Sequence, residues 1–76
     1  MIYLAKVTLI NEIKETLSSE IILTDSSIKS NSLTNYQKER ALHYAGIDRK
    51  VKTKYSKWVN SRLLSINIIK KINGIV

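Results

Sequence analysis

The chain contains no cysteine, no proline and no phenylalanine, and only two glycines and one histidine among its 76 residues. The missing thiols exclude a disulfide framework, a thiolate metal site and thiol chemistry. A single imidazole, His43, and no Gly-rich loop leave neither a nucleophile, base and orienter set nor a phosphate cradle, so the chain is not expected to be an enzyme. His43, between Leu42 and Tyr44, is read as a packing or solvent-edge residue. Its spacing from Asp25 and Asp48 matches no metal loop, and no metal or cofactor is expected. Long apolar runs are missing too: residues 1 to 5 and 21 to 23 fall far short of the roughly 18 residues of a spanning helix. No basic stretch precedes the first apolar residues, which argues against a signal peptide. These absences predict a soluble, cytoplasmic protein without membrane contact.

What is present suffices for one domain, residues 1–76, and no more. Hydrophobic residues make up 43% of the chain, which is enough to fold and excludes a disordered basic tail. A chain this short buries only about 60% of the surface its unfolded form exposes, so a partner or a second copy would add useful buried area. The formal net charge is +7, which favours polyanionic partners. It is unevenly placed. Residues 1 to 48 carry five basic and six acidic side chains, a net of −1, whereas residues 49 to 76 carry Arg49, Lys50, Lys52, Lys54, Lys57, Arg62, Lys70 and Lys71 and no acid, a net of +8.

The expected fold is mostly α, a small single-domain bundle of three to four helices. The N-terminal segment is its ambiguous part. As a helix it aligns Ile2, Leu9, Ile10, Ile13 and Leu17; as a strand it alternates Tyr3, Ala5, Val7 and Leu9 with Leu4, Lys6 and Thr8. Helix is preferred because a strand there would have only residues 20 to 24 to pair with. Residues 24–34 are polar and read as an internal loop. Thr34 and Gln37 form a capping-box pattern before a helix over residues 35 to 45, which Gly46 ends in a left-handed C′ position with Ile47 folding back on Leu42. Asp48 is placed as the cap of the next helix, whose stripe runs Val51, Tyr55, Val59, Leu63 and Ile66, with Trp58 and Arg62 alongside. Carried to Asn73 that helix would be about 39 Å long, against a radius of gyration of about 11 Å for such a chain. A break is therefore expected at residues 65 to 67, with a last short helix through Lys71 that stops at Gly74.

The two central helices and their Gly46-Ile47-Asp48 turn have the layout of a helix-turn-helix over residues 35–64. The small residue of that motif falls one position early, on Ala41. Lys50, Lys54 and Lys57 share one face of the second helix, beside Thr53 and Ser56, where such proteins contact phosphates and base edges. The candidate contact residues are Arg49, Lys50, Lys52, Thr53, Lys54, Ser56, Lys57 and Asn60, the last able to read an adenine edge. Tyr55 and Trp58 continue the apolar stripe and are read as core residues before base-stacking ones. The functional expectation is a small, non-enzymatic nucleic-acid-binding regulator, acting on duplex DNA more readily than RNA and used as a homodimer. The alternative is a protein-binding inhibitor or adaptor, of the kind a mobile element or phage encodes, whose basic face docks on an acidic or nucleic-acid-binding protein surface.

Overall fold

The N-terminal alternation is that of a strand. In the computed structural model, which describes residues 1 to 72, β1 (Ile2–Ile10) turns Ala5, Val7 and Leu9 inward and leaves Lys6 in solvent. β2 (Thr16–Thr24) likewise buries Ser19, Ile21 and Leu23, and β3 (Arg62–Ile72) completes the sheet. The order is β2-β1-β3 and both pairings are antiparallel. The described residues thus form a three-stranded antiparallel sheet with three short helices, which overturns the expected mostly α bundle. Period-two burial is what a sheet covered on one face and wetted on the other requires.

The pairing argument against a strand fails on both sides. β2 is nine residues long, so Ile2 pairs with Thr24 and Ile10 with Thr16, and β1 finds a second partner from Ile2 opposite Ile72 to Ile10 opposite Arg62. The hairpin turn is built by Asn11. Its side-chain oxygen accepts the Ile13 N–H at 3.1 Å and the Glu15 N–H at 2.8 Å, while the Lys14 N–H donates to the Asn11 carbonyl at 3.1 Å. Lys14 takes the left-handed conformation, φ 66°, that ends a three-residue hairpin loop.

Sheet pairing also overturns the helix assigned to residues 62 to 71. β3 has register shifts opposite Leu4/Ala5 and Thr8/Leu9: Leu4 and Ala5 face Lys70 and Ile68, and Thr8 and Leu9 face Ser65 and Leu63. Ile69 and Leu64 are the extra residues of two bulges. Along the core side the strand therefore steps from Leu63, opposite Leu9, to Ile66, opposite Val7, a spacing of three that imitates a helical stripe. The expected break at residues 65 to 67 is continuous strand, and the expected stop at Gly74 lies outside the described residues.

The helices cover one face of the sheet. α1 (Asp25–Ser30) occupies part of the expected loop and ends on Asn31 in the left-handed region, φ 51°. α2 (Asn35–Tyr44) is as the sequence specifies. The Gln37 N–H donates to Thr34 Oγ1 at 3.2 Å and the Thr34 N–H to Gln37 Oε1 at 2.9 Å. At its other end Gly46, φ 86°, donates to the His43 carbonyl and the Ile47 N–H to that of Leu42, closing a Schellman stop. Ala41 and Leu42 enter the core with Ala5, Val7, Leu9, Ile21, Leu23 and Trp58. The Ser19 hydroxyl, buried beneath α2, donates to the Ala41 carbonyl at 2.7 Å and fastens the helix to β2. α3 (Lys52–Ser56) is a little over one turn long. No helix among the described residues is long and apolar enough to cross a membrane.

Candidate nucleic-acid interface

The helix-turn-helix over residues 35–64 is not formed. Its first helix and turn exist, but α3 has five residues, about 7.5 Å of helix, too short to lie along a major groove. Asp48 does not cap it. The Asp48 carboxylate accepts the Lys50 N–H at 2.9 Å and its carbonyl the Val51 N–H at 3.0 Å, a local turn that delays the helix to Lys52. Lys50 precedes α3 and is separated from it by the non-helical Val51, so it does not lie on one helix face with Lys54, inside α3, and Lys57, its C-cap. Val51 and Val59, expected in the core stripe, are half-exposed, whereas Trp58 is buried and Tyr55 packs against the core, as expected of them. Two tight turns, Trp58 N–H to the Tyr55 carbonyl and Ser61 N–H to the Trp58 carbonyl, then redirect the chain into β3.

The expected contact residues divide into engaged and free. Arg49 is engaged: its guanidinium pairs with Glu39 Oε1 at 2.9 Å and lies 5.7 Å from the centre of the Tyr55 ring. The Tyr55 hydroxyl donates to the same carboxylate oxygen at 2.8 Å. The Arg49 guanidinium, with help from that hydroxyl, outweighs partial burial and holds the Glu39 carboxyl below the usual carboxylate range. Arg49 thereby fastens the segment after the Gly46 turn to α2. Ser56 donates to the Thr53 carbonyl at 3.0 Å and Asn60 Nδ2 to Glu12 at 3.1 Å. Lys50, Lys52, Lys54 and Lys57 are exposed, as is Thr53, and none of the four ammonium groups has a carboxylate partner among the described residues. The remaining cations of the basic segment lie apart. Lys70 and Lys71 pair with Leu4 and Tyr3 near one end of β1, while Arg62 pairs with Ile10 at the other.

Two surface clefts lie outside the lysine segment. One, of about 270 Å³, lies where α2 passes β2, with Leu4, Ile22, Tyr36, Arg40 and Tyr44 among its lining. Tyr36 and Tyr44 are 72% and 57% exposed, and the Arg40 guanidinium sits 4.7 Å from the Tyr44 ring centre. The other, of about 260 Å³, is lined by Ile10, Asn11, Glu12, Lys14, Asn60 and Arg62 at the hairpin end of the sheet. Lys14 and the side chain of Arg40 carry no motif signature and were not expected at a site. The available signal was positional: Tyr36, Arg40 and Tyr44 repeat every four residues on α2, and Lys14 sits between two alternating runs. No group of three or more His, Asp and Glu side chains close enough to share a metal occurs among the described residues. Comparison with models of protein families, with curated proteins and with solved structures gives no match.

Proposed function

We propose that the protein is a small, non-enzymatic nucleic-acid-binding protein whose working surface is the exposed segment from Lys50 to Lys57. The observation that carries this reading is the set of four lysines in eight residues, all solvent-facing and none ion-paired among the described residues, while the neighbouring Arg49 is occupied by Glu39. Free ammonium groups at this density favour a polyanion through counterion release. With no long recognition helix, contact falls on phosphates, and sequence preference is expected to be slight. Thr53, Ser56 and Asn60 then serve as neutral neighbours of the phosphate contacts.

The test is a gel-shift salt series on duplex DNA, run beside sedimentation to fix the oligomeric state. Replacing Lys50, Lys54 and Lys57 by glutamine lowers the log–log salt slope by about 0.9 for each phosphate contact removed. Absence of binding by the unmodified protein at low salt sinks the reading. A protein-binding adaptor is the second reading, and the Tyr36, Arg40 and Tyr44 face favours it, since exposed tyrosine and arginine beside a cleft of mixed polar and apolar lining are typical of interface anchors. Under the first reading Tyr36→Ala leaves DNA affinity unchanged.

A further inference from the structure

A second pair of cations, outside the lysine segment, lies at the hairpin end of the sheet. The cleft there brings together Lys14 from the β1–β2 turn and Arg62 from the first position of β3. Neither cation has a carboxylate partner among the described residues. Glu12, the one acid in the lining, accepts the Asn60 side-chain amide at 3.1 Å, which ties the hairpin loop to the turn before β3 and orients that amide. Asn60 follows Lys57 by three residues, at most about 10 Å of chain, and the Ser61-to-Trp58 turn folds that stretch tightly. The Lys57 end of the lysine segment therefore lies close along the backbone to the Asn60 wall of the cleft. Lys14 closes the hairpin loop at φ 66°, a conformation that glycine adopts with less strain.

We infer that this cleft is a phosphate subsite, in which Lys14 and the Arg62 guanidinium hold a backbone phosphate of nucleic acid bound along Lys50 to Lys57. Arg62 offers forked donors to two phosphate oxygens and Lys14 a point charge, with Asn60 at the wall. The subsite rests on the proposed nucleic-acid reading and extends it to residues outside the lysine segment.

The experiment is the same duplex-DNA salt series on Lys14→Gly and Arg62→Gln. Each variant is expected to lower the log–log slope by about 0.9, one phosphate contact. Lys14→Gly is expected to do so while raising the melting temperature, an opposition of signs that general loss of structure does not produce. Should Arg62→Gln fail to fold, Lys14→Gly at its exposed turn still decides the matter. Unchanged slopes in folded variants, with the Lys50, Lys54 and Lys57 variant still weakened, overturn the subsite and leave the nucleic-acid reading standing. If the unmodified protein binds no DNA, the reading falls, and inorganic phosphate followed by NMR tests the cleft alone. Shifts of the Asn60 side-chain amide and Arg62 Nε–H signals, absent in Lys14→Gly, would establish a site for free phosphate; no shifts overturn it.

Discussion

Two left-handed residues show how local chemistry becomes stability. Gly46 sits at φ 86° with nothing within 4 Å of where a Cβ would stand, so Gly46→Ala meets only backbone strain and is expected to cost about 1 kcal/mol. Lys14 is the mirror case. Lys14→Gly relieves strain at φ 66° and is expected to stabilise by up to about 1 kcal/mol, both effects being read from urea unfolding. Gly46 was legible in the sequence because helix, stop and returning Ile47 lie within a few residues of one another. Lys14 was not, since a lysine carries no turn signature and the turn depends on Asn11, whose role appears only once β1 and β2 are paired. Glu39 supplies a pH dependence. Its carboxyl is held below the usual range by Arg49 and then Tyr55, so the folded state binds its proton less readily than the unfolded chain. The stabilisation is complete above the ordinary glutamate value of about 4.3 and is lost as pH falls through the lowered folded value. Glu39→Gln should therefore flatten the fall in stability over that acidic window. An equally steep fall in the variant would show that Glu39 does not carry it.

At the scale of elements, the sequence declares what is closed by nearby side chains and conceals what is closed by distant ones. α2 carries both its signals, the Thr34 and Gln37 box and the Gly46 stop, and its observed bounds differ from the expected ones by one residue. Thr34→Ala removes the acceptor for the Gln37 N–H and is expected to cost about 1 kcal/mol. β3 is the opposite case. Its β-branched residues suit a strand, but the bulges at Leu64 and Ile69 erase the regular alternation and substitute the three-residue step from Leu63 to Ile66. The helical stripe read across residues 51 to 66 was thus a composite of a one-turn helix, two tight turns and a bulged strand. For the candidate site the result is similar: the lysines were legible by composition, but their common helix face was not real, and the pairing of Lys14 with Arg62 depends on a contact between opposite ends of the chain. The core tests the sheet directly. Leu9 is buried between both neighbouring strands, opposite Leu17 and Leu63, so Leu9→Ala is expected to lower stability by about 2–5 kcal/mol in thermal or urea unfolding. A loss within about 0.5 kcal/mol, the range of surface sites, would contradict the central placement of β1.

On the whole molecule, the charge asymmetry takes a form that composition alone could not supply. The chain is 41 Å long and 22 by 17 Å across, so eight cations from residues 49 to 71 are distributed along its length and not gathered on one helix. Lys70 and Lys71 face Leu4 and Tyr3, six and seven β1 positions from the Ile10 that faces Arg62, roughly 20–23 Å at 3.3 Å per residue. Attraction does little to offset this. The ion pairs among the described residues are the amino group of Met1 with Asp25, and Arg49 with Glu39, all of them substantially exposed, and exposed pairs are worth about 0–1 kcal/mol. Successive lysines between Lys50 and Lys57 are only two or three residues apart, and the Debye length grows from about 8 Å at physiological ionic strength to about 30 Å at 0.01 M, so their mutual repulsion is felt by the folded state most strongly at low salt. Added chloride screens that repulsion more than it weakens two exposed pairs. Melting temperature is therefore expected to rise from low to physiological salt, and the rise is expected to shrink when Lys50, Lys54 and Lys57 are replaced by glutamine. A melting temperature that falls with salt would mean that attractive pairs govern the molecule's electrostatics, and that the lysine segment is not the strained, counterion-seeking surface on which nucleic-acid binding depends.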